Sequence, residues 1–185
     1  MKIGLIGAGR LGICLALLME NAGYDVLVSD IREDYVNNLN KKIIQTAEPH
    51  VAEHLKEATN IEATTDNKRV IAECDIIFTL VATPSCENGS YDVSAVWNVV
   101  RDFQEYNDVS GKTLVVGCTT NPGDCARFQE QLKSYGVSVI YNPEFIAQGS
   151  IIKDLTHADM VLIGGDNEEV MHILSEMYKK IQVVK

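Results

Sequence analysis

Three groups of residues in this chain carry chemistry in their type and spacing. The first is Gly7-Ala8-Gly9-Arg10-Leu11-Gly12, set between the apolar run Ile3 to Ile6 and a helical pattern over Arg10 to Asn21. Gly7 permits a tight turn out of a strand, Gly9 lets a pyrophosphate approach the backbone, and Gly12 lets the helix pack closely on the strand. Free amides and the positive end of the helix dipole then face the phosphates. Val26 to Val28 reads as a second buried strand, and Asp30 stands at its end, eighteen positions after Gly12. That is close to the roughly 20 expected of a ribose-binding acid. A carboxylate there accepts hydrogen bonds from both adenosine ribose hydroxyls and repels a 2′-phosphate, which favours NAD over NADP. Arg32 works against that preference. A glycine-rich turn that binds nothing contains the same letters. The order strand, loop, helix, strand, acid is what turns them into a dinucleotide fingerprint.

The second group lies at two later strand ends. Val81-Ala82-Thr83-Pro84-Ser85 follows the apolar Asp75 to Val81, and its small residues would let a flat cofactor lie on the loop; in isolation it reads equally as a turn. Cys118-Thr119-Thr120-Asn121-Pro122-Gly123 follows the strand Thr113 to Val116, with hydroxyls suited to a water or a ribose, or to a helix cap. The third group is Tyr141-Asn142-Pro143-Glu144-Phe145. Pro143 stiffens the turn, and Glu144 leaves a strand end toward the proposed cleft, where a carboxylate serves as general base or holds a water. A solvated loop glutamate is the plainer alternative. One motif competes: His50-Val51-Ala52-Glu53-His54 matches an HxxEH zinc pattern and would place two histidines on one helical face. It lacks an identifiable acidic third ligand, so no metal site is expected.

These groups must be positioned by elements, and the elements alternate. Asp34–Ile44 and Glu48–Ala58 read as helices, Ile61–Thr64 as strand, Asn67–Glu73 as helix, and Val93–Tyr106 as helix. Asp124–Tyr135 follows as helix, Val137–Tyr141 as strand, Met160–Ile163 as a further strand and Glu168–Ile181 as the last helix. Such alternation predicts an α/β fold, a doubly wound and mostly parallel sheet of the Rossmann type, as one domain over residues 1–185. In such sheets a ligand sits outside the carboxyl ends of the strands, where all three groups fall.

Composition narrows the partners. With 185 residues the chain has enough material for one core. A formal net charge of -10 argues against nucleic acid and against an anionic membrane surface. Five cysteines without framework spacing fit a reducing compartment, so a cytoplasmic location is expected. No stretch reads as a signal peptide or approaches a membrane span.

The chain resembles the N-terminal, NAD-binding domain of the UDP-glucose/GDP-mannose dehydrogenase family, nearest its UDP-glucose 6-dehydrogenase branch. The resemblance rests on Glu48-Pro49, Val81-Ala82-Thr83-Pro84 and Asn88-Gly89-Ser90-Tyr91-Asp92 with Ser94. Above all it rests on Asn142-Pro143-Glu144-Phe145-Ile146-Ala147-Gln148-Gly149-Ser150, continued through Ile152-Lys153-Asp154 to Val161-Leu162-Ile163-Gly164-Gly165. The family oxidises a sugar C6 alcohol to a carboxylate with two NAD, through an aldehyde and a cysteine-bound thioester. The resemblance implies that Gly7, Ala8, Gly9, Arg10, Leu11, Gly12, Asp30, Tyr35, Val81, Ala82, Thr83, Ser85, Cys118, Thr119, Thr120 and Gln148 contact NAD. It also implies that Thr119 holds a water and that Glu144 is the acid/base.

Several positions depart from the family pattern. Gln148 stands where a second Glu is usual, Tyr35 where a basic residue is frequent, and Thr120-Asn121-Pro122 shifts the usual proline by one place. Ala158-Asp159-Met160 replaces a Pro-Asp-Arg run. The family's Gly-Gly-Ser-Cys nucleophile run does not occur in the sequence. The expectation is a chain lacking the central helix and the domain that grips the UDP-sugar: it binds NAD weakly, does not turn over alone, and comes from a homo-oligomeric parent. A stand-alone NAD-binding module and another NAD-dependent dehydrogenase, such as a β-hydroxyacid type, are the alternatives.

Overall fold

The computed structural model describes residues 1–182. The elements run β1 (Lys2–Ile6), α1 (Arg10–Asn21), β2 (Asp25–Ser29), α2 (Glu33–Asn40), α3 (Val51–Glu57), β3 (Ile61–Thr64), α4 (Asn67–Glu73) and β4 (Ile76–Thr79). They continue α5 (Ser94–Glu105), β5 (Thr113–Val116), α6 (Asp124–Leu132), β6 (Ser138–Tyr141), α7 (Ile151–Thr156) and α8 (Glu168–Ile181). The strands form one sheet in the order β3-β2-β1-β4-β5-β6. All five pairings are parallel. The order reverses between β1 and β4, which makes that junction the switch point.

Both faces of the sheet are covered, as a parallel sheet requires. On one face Leu5, Val28, Phe78 and Ile140 pack against α1, α7 and α8 through Leu15, Leu155, Leu174 and Met177. On the other, Leu27, Ile77 and Leu114 pack against α4, α5 and α6 through Ile71, Phe103 and Phe128. The central helix α1 is buried from Gly12 to Met19, so a helix apolar on nearly every side is wedged between sheet and neighbours.

The doubly wound sheet of the sequence reading is found, with local differences that have physical causes. The expected helix over 34–44 stops at Asn40, whose side chain turns to bond both the amide and the carbonyl of Ala63 beside β3; Lys42 then takes a left-handed φ of 58°. The expected helix over 48–58 starts only at Val51. Its first residues are diverted because Glu48 turns inward, 4% exposed, to bond the Gly149 amide. Residues 133–135 tighten into a 3₁₀ turn at the end of α6. The expected strand Met160–Ile163 is not a strand. It touches β6 through one antiparallel bridge, Tyr141 to Gly164, because the Leu162 carbonyl is taken by the Asn142 side chain rather than by a ladder partner.

Candidate functional site

The site is built outward from the switch point. The chain leaves β1 through Gly7 at φ 102°, a left-handed conformation that favours glycine. A Cβ on Gly7 would lie 2.7 Å from the Leu80 carbonyl oxygen, and one on Gly12 would lie 2.0 Å from the Gly7 carbonyl oxygen. Both glycines are therefore fixed by close backbone approach. Gly9 differs: a Cβ there would meet nothing within 4 Å, so its face is open toward a ligand. Gly9 is also the N-cap of α1. No side chain caps that end, and no acidic residue lies in its first turn. The amides at the start of α1 thus keep their donors for an anion, with no negative charge opposing it.

Gly7, Gly9, Asp30, Val81 and Ala82 line one cleft of about 440 Å³. The structure thereby brings together residues from three strand ends that the sequence placed in one site. Its far wall comes from Asn67 at the start of α4 and from Ala95, Asn98 and Val99 on α5. Sequence reasoning missed these wall residues, since on a helix they look like ordinary surface or core positions.

Asp30 is held in a defined state. Arg32 gives its backbone amide and its Nε to Oδ1, at 3.0 and 2.7 Å, and an Nη to Oδ2 at 2.8 Å. Burial alone would push the Asp30 carboxyl up. The Arg32 bonds and charge, with the Ala8 amide, outweigh it and hold the group below the usual aspartate range. The Arg32 guanidinium also lies 4.1 Å above the centre of the Tyr35 ring, a cation–π contact. Tyr35, in the often basic position, so supports a positive charge supplied by Arg32.

Ala8 is fully buried and Leu11 half-buried against the core, so both would meet a ligand through their backbone. Arg10 donates an Nη hydrogen bond to Gln148 Oε1 at 2.6 Å, linking the glycine loop to the segment after β6. Thr83 and Ser85 sit on the loop after β4, where Ser85 pairs with Tyr91 in an isolated bridge. Asn121 fastens this loop to the one after β5: it accepts from the Tyr91 amide and donates to the Tyr91 carbonyl, at 2.8 and 2.9 Å. Cys118 is buried among the apolar residues under β5, and burial raises its thiol to about 12. It reads as a core residue in its side chain, not as a nucleophile. Thr119 is exposed, and Thr120 is half-buried beside Cys125.

Thr119 and Glu144 follow adjacent strands, β5 and β6, which end in register at Val116 and Tyr141. They lie outside the residues lining the 440 Å³ cleft, next along the same sheet edge. Burial pushes the Glu144 carboxyl above the usual glutamate range, while a hydrogen bond from Tyr178 pulls the other way without prevailing. Tyr178 reaches Glu144 from α8, 34 residues further on. No local pattern in the sequence signals this partnership. Glu48, known from its motif but without a role, ties Gly149 in place with both carboxylate oxygens, at 2.9 and 3.0 Å.

The HxxEH run does not form a two-histidine face. His50 sits outside α3 at a left-handed φ of 66° and bonds Glu53. Among the described residues no cluster of three or more His, Cys, Asp or Glu could hold a metal ion. Among the described residues no helix is long and apolar enough to cross a membrane.

The UDP-glucose/GDP-mannose dehydrogenase family, NAD binding domain, matches residues 1–182. The UDP-glucose 6-dehydrogenase of Rickettsia conorii is 32% identical over all of this chain, and that of Rhizobium meliloti is 31% identical over 98% of it. The chain spans 44% of the length of each. A ternary complex of GDP-mannose dehydrogenase from Pseudomonas aeruginosa superposes with a TM-score of 0.88 at 25% identity, covering 97% of this chain and 44% of that one. A UDP-glucose dehydrogenase from Pyrobaculum islandicum shares the fold, with a TM-score of 0.89 at 24% identity, over 98% of this chain and 44% of its own. NAD is the cofactor of the matched domain, and the chain belongs to the UDP-glucose/GDP-mannose dehydrogenase family.

Proposed function

We propose that this chain is the NAD-holding part of a nucleotide-sugar dehydrogenase, which oxidises the C6 alcohol of UDP-glucose to the carboxylate with two NAD. One observation carries the reading: a glycine cradle and an ionised Asp30 share a cleft, and a carboxyl held toward its neutral form lies beside it on the same sheet edge. The names of the relatives supply the sugar.

The residues fit the cofactor. The uncapped start of α1 and the open face of Gly9 hold the pyrophosphate, and Asp30 takes the adenosine ribose hydroxyls. Tyr35 and Arg32 flank the adenosine, and Val81, Ala82, Thr83 and Ser85 form the floor. Cys118, Thr119, Thr120 and Gln148 lie toward the reacting end. Bound NAD supplies the hydride acceptor. Thr119 holds a water by its hydroxyl, and Glu144 gives and takes protons at the oxygen borne by the reacting carbon and at that water. A raised carboxyl suits that work, because a group titrating nearer the operating pH passes protons in both directions.

The nucleotide-sugar grip and the nucleophilic cysteine lie in parts of the parent protein that this chain does not contain. The parent is a cytoplasmic homo-oligomer whose product feeds polysaccharide synthesis. The chain by itself binds NAD weakly and turns nothing over. Calorimetry with NAD tests the first half: heat of binding and a raised melting temperature are expected, and neither appearing sinks the reading. Incubation with UDP-glucose and NAD tests the second half. Steady NADH formation by this chain alone would show that the essential parts are all present.

A further inference from the structure

The Tyr178 hydroxyl is enclosed by acceptors. Asn142 Oδ1 lies 2.7 Å from it, and Glu144 Oε1 is also in hydrogen-bond contact. The Asn142 amide cannot turn over to offer a donor instead. Its Nδ2 already gives a hydrogen bond to the Leu162 carbonyl at 2.9 Å, and a carbonyl only accepts. Its backbone amide is anchored on the Val116 carbonyl, also at 2.9 Å. Asn142 is 1% exposed and Tyr178 3%, so water does not replace a missing partner at the Asn142 oxygen.

Proton counting then decides which state the cluster favours. With Glu144 ionised, one phenol proton serves two acceptors, and either the carboxylate or the amide oxygen goes without. With Glu144 protonated the chain closes: Glu144 gives to Tyr178, Tyr178 to Asn142, and Asn142 to Leu162. A buried acceptor left unpaired is costly, so the closed chain favours the neutral carboxyl. Desolvation acts in the same direction. Tyr178 itself stays a phenol, because burial and the neighbouring carboxylate hold it well above the usual tyrosine value. The groove beside it carries Asp159, from the segment after α7, and Lys179, from α8. Among the described residues Tyr178 is the titratable group acting on Glu144, and Glu144 Oε2 has no protein hydrogen-bond partner.

We propose that Tyr178 is a two-position hydroxyl switch for Glu144, its proton turned to Asn142 Oδ1 while the carboxyl is neutral and to Glu144 Oε1 once the carboxyl has given its proton away. The Glu144 proton passes to water or to the substrate oxygen of the proposed reaction, and no other bond changes. Tyr178 and Asn142 are positioning residues here, and the proposal rests on the reading of Glu144 as the acid/base. The rotor explains how one carboxyl keeps its proton above the usual glutamate range and is still stabilised after release.

The test is a carbon-13 NMR titration of the full chain with labelled glutamate side chains, the Glu144 signal assigned by its loss in Glu144→Gln. Wild type is expected to titrate above the ordinary glutamate range. Asn142→Ala frees the phenol proton for the carboxylate and lowers the Glu144 midpoint by about one pH unit. Tyr178→Phe removes the donor to the ionised form and raises it. In the Tyr178→Phe background, Asn142→Ala changes nothing further, because Asn142 acts only through Tyr178. The proposal is overturned if both single variants move the midpoint the same way, or if the Asn142 effect persists without the phenol. Should Asn142→Ala not fold, a wild-type midpoint in the ordinary range, or a fall in Tyr178→Phe, overturns it equally. The titration reads the carboxyl directly. Sugar oxidation that survives Glu144→Gln in the complete enzyme would therefore cost Glu144 its assigned role while leaving the switch standing.

Discussion

Asp30 follows β2 and Glu144 follows β6, on opposite sides of the β1–β4 switch point. Both are carboxyl groups that burial alone would push up. On the β2 side, Arg32 brings three donors from two residues away, and the balance falls toward the charged form. On the β6 side, one phenol proton arrives from α8 and is contested by Asn142, and the balance falls toward the neutral form. The number of donors near each carboxyl, more than its depth, separates a binding acid from a proton-transfer acid.

The variant expected to act most strongly removes the frame both halves share. In Gly12→Ala the new Cβ would lie 2.0 Å from the Gly7 carbonyl oxygen, backbone against backbone, where nothing flexible can yield. A loss of about 3 kcal/mol is expected, lowering the melting temperature by roughly 6–12 °C, with NAD heat abolished. Normal melting and normal binding together would show that the cradle geometry does not depend on this contact.

Next in size is Asp30→Asn, which touches the binding half alone. The charged acceptor for two ribose hydroxyls is lost, and NAD affinity should fall by about 10- to 100-fold. The repulsion of a 2′-phosphate goes with it, so NADP should lose far less. Paired calorimetry with NAD and NADP checks this. Equal losses for both would mean that Asp30 acts by holding Arg32 in place rather than by reading the ribose.

The two halves also differ in how far the sequence disclosed them. The binding half is local: strand, Gly7 to Gly12, α1, β2 and Asp30 lie within thirty consecutive residues, and each signal there has its partner close in the chain. The boundaries of α1, β3, α4, β5 and α8 were legible for the same reason, since caps and periodicity are short-range. The proton-transfer half is assembled over distance. Glu144 was readable from the turn that carries it, but Asn142 as a competitor, Tyr178 as donor and Glu48 as the anchor of Gly149 come from tertiary contacts of 36, 34 and 101 positions. Met160–Ile163 failed for a related cause: its apolar letters suit a strand, yet a single side chain, Asn142, takes the carbonyl a ladder would need.

The smallest effect is the most diagnostic, because it opposes the two carboxyls directly through the pH dependence of unfolding. Asp30 has a lowered value in the folded chain. Its contribution is present above the ordinary aspartate value and is lost as pH falls through the folded one. Glu144 has a raised value, so the folded chain holds a proton the unfolded chain has released. Stability therefore drops as pH climbs from the ordinary glutamate value to the folded one. Urea midpoints between about pH 3 and pH 8, compared with Asp30→Asn and Glu144→Gln, isolate each group, since whatever the three proteins share cancels in the differences. The advantage of wild type over Asp30→Asn should shrink toward acid. Glu144→Gln, which keeps a neutral polar end, should gain on wild type toward alkali. Two differences sloping the same way would mean that a single environment governs both carboxyls, and that the donor count at each strand end does not decide which proton is kept.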